Sequence, residues 1–173
     1  MTYRLEFVET LPDMSALRNI LTDYLRDILP KFEAVSGITI DPEDMAAKTV
    51  ADPTELLPPR HRLLLAYDSN DTLVGCGSIR RIRDDAGEMK RMFVKKEHRG
   101  TGLGRQLFEE RIAEARRMGL SWLYADTVKG NQAMLNLYEK YGFDYIDRYP
   151  ENANPAEFAP HLVFLRLKLA PSA

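Results

Sequence analysis

Met92-Phe93-Val94-Lys95-Lys96-Glu97-His98-Arg99-Gly100-Thr101-Gly102-Leu103-Gly104-Arg105 is the stretch on which the reading of this sequence turns. Residues 88–95 carry the pattern of a strand, three alternating glycines follow, and a helical pattern starts at once. The first N–H groups of a helix have no acceptor inside it, and the peptide dipoles add about half a positive charge at that end. Glycines let the main chain approach a phosphate closely and adopt dihedrals that other residues avoid. Lys96, Arg99 and Arg105 bracket the loop with further positive charge. The arrangement predicts an anion site; a tight turn alone needs neither three glycines in five residues nor the flanking arginines. Two phosphate loops are excluded by spacing. A dinucleotide fingerprint needs Gly-x-Gly-x-x-Gly after the first strand of a parallel sheet, but the sixth position is Arg105 counted from Gly100 and Leu107 counted from Gly102. The pattern Gly-x-x-x-x-Gly-Lys-[Ser/Thr] does not occur.

Upstream, residues 63–67, 72–82 and 88–95 read as three strands whose short connections require an antiparallel meander. Asp68-Ser69-Asn70-Asp71 and Asp84-Asp85-Ala86-Gly87 are the expected turns. Residues 2–8 alternate as a first strand. Leu17, Ile20, Leu21, Tyr24, Leu25, Ile28 and Leu29 then recur at helical spacing, with Pro30 as the expected stop. Asp41-Pro42 opens a second helix running to about Val50. Downstream, the helix after the loop carries Leu107, Phe108, Ile112 and Ala115 on one face and ends at Gly119. Residues 121–128 form a strand, 131–141 a helix closed by Gly142, and 143–149 and 162–169 the last two strands.

The whole, 173 residues with 45% hydrophobic and 29% charged, fits one globular domain over residues 1–173. Lys plus Arg is 24 and Asp plus Glu 26, so the formal charge is −2, against a general nucleic-acid binder. The single cysteine, Cys76, excludes an internal disulfide and fits a reducing compartment. The longest apolar run, near residues 63–67, is far short of the roughly 20 residues that cross a bilayer. The N-terminal residues carry an acid, Glu6, where a signal peptide has an apolar run. A cytoplasmic protein with no membrane partner is expected. His61, His98 and His161 form no metal-ligand pattern.

The pattern [Gln/Arg]-x-x-Gly-x-[Gly/Ala] is met by Arg99-Gly100-Thr101-Gly102-Leu103-Gly104, and with it the sequence resembles the GNAT superfamily of N-acetyltransferases. Asn131-Gln132-Ala133-Met134-Leu135-Asn136-Leu137-Tyr138-Glu139-Lys140-Tyr141-Gly142-Phe143 resembles the second hallmark of that family, and Glu88-Met89-Lys90-Arg91-Met92-Phe93-Val94 its acid-led fourth strand. The resemblance is specific over residues 72–143 and weak before residue 60. It implies a mixed α/β (α+β) GNAT fold, with a central, mostly antiparallel sheet of about seven strands, splayed between strands 4 and 5 and flanked by about four helices. Within it, residues 1–60 would hold the first strand and the acceptor-side helices, 61–143 the acetyl-CoA-binding core, and 144–173 the closing strands.

The resemblance also implies acetyl-CoA as co-substrate. Arg99, Gly100, Thr101, Gly102, Leu103, Gly104 and Arg105 would take its pyrophosphate. Met92, Phe93 and Val94 would take its pantetheine arm through the main chain, and Asn131 and Tyr138 would touch it from the later helix. An alkyl amine has a pKa near 10.4 and must lose a proton before it attacks. Glu88, eleven residues before Arg99, is the candidate base, with a solvated residue beside a turn as the alternative and Asp126 as a lesser candidate. An N–H near Phe93 or Val94 would stabilise the oxyanion. Tyr138 is the candidate acid for the leaving thiolate, with core packing as the alternative. The acceptor amine, a small molecule or a protein, would be lined by residues 13–57 and the 150–160 loop. Glu33, Asp41, Glu43, Asp44 and Glu151 would attract its positive charge. A non-catalytic acyl-CoA-binding module and an enzyme for another acyl-CoA are the competing functions. Dimers are common in the resembled family, so a homodimer stays open.

Overall fold

A computed structural model describes residues 2–170. In chain order the elements are β1 (Arg4–Val8), α1 (Met14–Ser36), α2 (Pro42–Ala51), β2 (His61–Tyr67), β3 (Leu73–Arg83), β4 (Ala86–Val94), α3 (Leu103–Arg117), β5 (Trp122–Val128), α4 (Gln132–Lys140), β6 (Asp144–Ile146) and β7 (Leu162–Lys168). The strands form one sheet in the order β1-β2-β3-β4-β5-β7-β6. All neighbours are antiparallel except β4 and β5, which α3 connects in parallel.

Strand alternation assigns the two faces. Leu63 and Leu65 of β2 pack under α1 and α2 with Leu17, Ile20, Leu21, Leu25 and Ala46. Leu64 and Ala66 face the other way, against Leu103 and Leu107 of α3. α4 joins that second layer, where Phe108 meets Tyr138 and Phe143 edge-on at 5.5 and 5.9 Å. Close approach explains Gly75 in β3: a Cβ there would lie 3.0 Å from Leu107 Cδ1.

The helix starts follow local chemistry. Asp13 accepts from the N–H groups of Ser15 (2.7 Å) and Ala16 (3.2 Å). Asp41 caps α2 at Asp44 N (2.6 Å), with Pro42 in the first helical position. Three expectations about boundaries are corrected. α1 runs through Pro30 to Ser36 instead of stopping. The extra turns bury Phe32, which packs on Phe158 at 4.8 Å, and Gly37 (φ +72) closes the helix by donating to Glu33 O at 2.7 Å. Gly87 lies inside β4, not in the turn before it, because Leu120 Cδ1 and Ile79 Cγ2 come within 2.8 and 3.0 Å of where a Cβ would be. The strand expected over 143–149 is only Asp144–Ile146. The chain leaves the sheet there to bury Tyr149 against Tyr124, with ring centroids 4.7 Å apart.

Candidate active site

The site begins where β4 and β5 part. Their ladder runs from Ala86↔Trp122 to Met89↔Ala125 and goes no further. Residues 90–94 of β4 and 126–128 of β5 then diverge, which is the splay expected from the resemblance. A bulge lies at the fork. Ser78 pairs with Lys90 and Cys76 with Phe93, so Arg91 and Met92 together oppose Gly77. Arg91 takes the left-handed φ of +53°, rare for a side-chain-bearing residue. As a result Lys90, Arg91, Met92, Phe93 and Val94 all border one cavity, which the alternation of a regular strand would not allow.

That cavity has a volume of about 370 Å³, within the range of small-molecule sites. Leu21, Tyr24, Leu25, Ile28 and Phe32 of α1 wall one side, and Asp126, Thr127, Asn131, Met134 and Tyr138 another. Asn154 and Phe158 of the loop after β6 close it. Its charged lining is mostly cationic: Lys31, Lys90, Arg91, Arg99 and Arg111 against Asp27 and Asp126. Asp27 bonds to Lys31 (2.7 Å) and Arg99 (2.9 Å). Burial alone would raise the Asp27 carboxyl, but these two donors outweigh it and hold the group below its ordinary range. Arg111 is fully buried and has no carboxylate partner among the described residues. It donates to Leu107 O (3.2 Å), Lys90 O (3.4 Å) and Met92 Sδ (2.8 Å), so it fastens α3 to the bulge. Burial pulls its guanidinium down to about 10.

The glycine-rich loop lies just beyond the cavity. Val94 and Arg99 line the cavity, whereas residues 100–105 do not. Gly100 and Gly102 adopt φ of +78° and +90°, and nothing stands within 4 Å of a Cβ built on either, so the loop surface is open. Gly104 has entered α3, where a Cβ would meet Met92 Cε at 3.7 Å. Thr101 Oγ1 donates to His98 O (2.7 Å) and accepts from Tyr3 (3.1 Å), bracing the loop from β1's side. Arg99 turns back to Val94 O (3.0 Å) and Asp27, while Arg105 extends to Glu109 (2.9 Å). The open edge of β4, the open surface at the α3 N-terminus and the apolar-walled cavity beside them fit a long anionic thioester. Among the described residues no group of His, Cys, Asp and Glu could hold a metal.

Glu88 is fully buried and does not border the cavity. One carboxylate oxygen accepts from Arg80 Nε (3.0 Å) and Nη2 (2.8 Å), the other from Tyr149 Oη (2.5 Å), Asn152 Nδ2 (3.0 Å) and Ala153 N (3.4 Å). Asn152 Nδ2 also reaches Asp126 Oδ2 (2.8 Å), and Asn154 Nδ2 reaches Asp126 Oδ1 (3.0 Å). Asp126 is thus the carboxylate at the cavity wall beside β4, with Glu88 one side chain behind it. Tyr138 borders the cavity, and no hydrogen bond to its hydroxyl is made among the described residues. Burial raises its pKa, so the phenol stays protonated. Asn131 sits at the N-cap of α4, but its amide donates to Thr127 Oγ1 (2.9 Å) instead of capping the helix. Cys76 is a buried thiol, pushed up to about 12 by burial. The acids expected to draw a cationic amine do not border the cavity. Glu33 accepts from Thr39, Asp41 caps α2, and Glu43, Asp44 and Glu151 pair with Arg26, Lys48 and Arg83.

Residues overlooked in the sequence are Arg91, Arg111, Tyr24, Asn152 and Asn154. Arg111 did leave a signal: it stands four residues after Leu107 and four before Ala115, on the apolar face of its helix. The bulge that brings Arg91 to the cavity has no signature of its own in sequence.

No helix among the described residues is long and apolar enough to cross a membrane. The model of the acetyltransferase (GNAT) family matches residues 17–143. An uncharacterized N-acetyltransferase of Schizosaccharomyces pombe is 31% identical over 114 residues, 65% of this chain and 67% of its own length. The IAA acetyltransferase of Azospirillum brasilense is 43% identical over 96 residues, 55% of this chain and 61% of that one. Among solved structures, the PaiA N-acetyltransferase of Thermoplasma acidophilum in complex with coenzyme A superposes with a TM-score of 0.70 at 17% identity, covering 97% of this chain and 99% of that one. Sheet order, the β4–β5 fork, the glycine-rich loop and the family model agree, and the chain belongs to the acetyltransferase (GNAT) family.

Proposed function

We propose that the chain acts as one N-acetyltransferase domain that moves the acetyl group of acetyl-CoA to a primary amine by direct attack. The observation that carries the proposal is the fork after Met89 and Ala125, which leaves an apolar-walled cavity running from the α1 layer to the glycine-rich loop. Acetyl-CoA supplies the activated thioester. As the C–N bond forms the C–S bond breaks, the amine gives up its protons and the departing sulfur takes one. The N–H groups of the first α3 turn, with Gly100, Thr101, Gly102, Leu103, Gly104 and Arg105, receive the pyrophosphate. Arg99 adds its charge at the cavity rim. Met92, Phe93 and Val94 offer main-chain groups to the pantetheine amides, and an N–H near Phe93 or Val94 faces the charge that develops on the carbonyl oxygen. Asn131 lies along the same wall.

Proton removal is shared. Lys90 and Arg111 disfavour a second positive charge in the cavity, so a bound amine loses its proton more readily than in water. Asp126 receives that proton, directly or through water. Glu88 acts as its positioning residue, through Asn152. Tyr138, kept protonated by burial, gives a proton to the departing sulfur. A buried free Cys76 and a nucleotide thioester co-substrate suit a cytoplasmic setting. A thiol-release assay over a panel of amines tests the reading. Thiol release that needs both acetyl-CoA and an amine is expected. Binding of coenzyme A with no turnover on any amine would make the chain an acyl-CoA-binding module, and absence of binding would refute the site.

A further inference from the structure

We infer that the acceptor is an amine that also carries a carboxylate, an amino acid with an apolar side chain, and that Arg91 holds the carboxylate. The inference rests on the transferase reading and follows from which cavity charges are already neutralised. Lys31 and Arg99 share Asp27, and Lys90 lies 4.0 Å from Asp126 and 3.9 Å from Glu88. Arg111 is spent on the bulge and on α3. Arg91 is the least fully paired: its one carboxylate neighbour, the half-exposed Glu55, makes a loose ion pair at 3.6 Å from Nη2 without a hydrogen bond, and its Nη1 is buried with no hydrogen-bond partner among the described residues. A buried guanidinium nitrogen without an acceptor is unfavourable, and a carboxylate meets its planar donor fork better than any neutral group. The residue precedes Met92, Phe93 and Val94, so it lies away from the loop proposed for the pyrophosphate. The α1 and α2 side of the cavity carries Leu21, Leu25, Ile28 and Met45, which suits an aliphatic or aromatic side chain, and its one acid, Asp27, is already held by Lys31 and Arg99. Polyamines are therefore poor acceptors.

The test compares acceptors that differ only in the carboxylate: L-leucine, L-leucinamide and 3-methylbutylamine, each with acetyl-CoA, on the wild type, Arg91→Gln and Arg91→Lys. Wild-type kcat/KM is expected to favour L-leucine at least about tenfold, the scale of a charge-assisted hydrogen bond in a cavity. Arg91→Gln is expected to erase that preference, with kcat/KM for 3-methylbutylamine and KM for acetyl-CoA within about twofold of wild type, and Arg91→Lys to restore part of it. Equal or better use of 3-methylbutylamine by the wild type, or an equal loss on all acceptors in Arg91→Gln, overturns the inference while leaving the transferase reading in place. Should none of the three turn over, the wider amine panel decides the transferase reading. Calorimetry of N-acetyl-L-leucine against its amide, on the protein saturated with coenzyme A, then decides the Arg91 site. Tighter binding of the acid, lost in Arg91→Gln, supports it, and equal binding of acid and amide overturns it. The wild-type comparison stands alone if the variants do not fold.

Discussion

Gly77→Ala is the sharpest probe of how the fork is built. A Cβ on Gly77 would lie 2.9 Å from Arg111 Nε, 3.0 Å from its Cδ and 3.1 Å from its Cζ. Comfortable separations begin near 3.5 Å, so the methyl overlaps three atoms by roughly half an ångström. Arg111 has no exposed surface through which to retreat and is held at Leu107 O, Lys90 O and Met92 Sδ. Overpacking of this kind costs about 1–3 kcal/mol. For a chain of this length that corresponds to a fall in Tm of about 2–12 °C. The sign should reverse when the obstacle is removed. In an Arg111→Ala background the new methyl enters vacated space, and alanine in a strand interior is better than glycine by about 0.5–1 kcal/mol. Urea denaturation of the four proteins of the cycle, followed through the lone Trp122 and by circular dichroism, measures the coupling. A coupling of at least about 1 kcal/mol is expected; effects that add within about 0.5 kcal/mol would refute the steric argument. Gly77→Ala alone should also raise KM for acetyl-CoA, because the displaced guanidinium no longer pins the bulge.

Three further outcomes follow from the same geometry. Tyr138→Phe removes a hydroxyl that makes no hydrogen bond among the described residues, so stability should stay within about 0.5 kcal/mol of wild type. Its kcat should fall at least about tenfold, with coenzyme A affinity unchanged by calorimetry; an unchanged kcat would remove Tyr138 from the chemistry. Gly102→Val forces a β-branched residue to φ +90° in open space, a local strain of about 1–2 kcal/mol that leaves the circular dichroism spectrum intact. It should abolish coenzyme A binding, and normal binding would show that the loop is not the phosphate site. His61 is buried with Nδ1 unpaired, and burial lowers its pKa from 6.5 to about 4. The unfolded chain therefore binds a proton between those values that the folded chain refuses. Stability should be full above about pH 6.5, decline by roughly 3 kcal/mol as pH falls to about 4, and level off below. His61→Gln should flatten this part of the stability profile; an unaltered slope would assign the decline to other groups.

What could be read in advance was whatever depends on neighbouring residues. The cap at Asp41-Pro42, the doubly buried run from Leu63 to Ala66 and the strand–loop–helix at 92–105 are local, and the structure has each in place. Pro30 misled because its missing N–H weighs against a distant contact, that of Phe32 with Phe158, which no local rule weighs. Gly87 misled likewise: a glycine required by a neighbour's bulk resembles one required by a turn. Around the cavity, the glycine-rich loop and the Tyr138 helix were legible because the residue types that mark them lie close together along the chain at fixed spacing. The lining was not. Asn152 and Asn154 reach Asp126 across the sheet, and Arg91 reaches the cavity through an irregularity in β4's pairing with β3.

The short ladder between Ala86–Met89 and Trp122–Ala125 joins two well-knit panels, β1 to β4 and β5 to β6. Within each panel the long strands are laced along their lengths, so apart from the short pairing of edge strand β6 with β7 this suture is the shortest ladder in the sheet. A guest lodged in the gap touches both panels and acts as a clasp that the bare polypeptide lacks. Well above saturation, every tenfold increase in its free concentration adds about 1.4 kcal/mol to the apparent resistance to unfolding. Calorimetric melting temperature thereby becomes a gauge of occupancy, readable without any turnover.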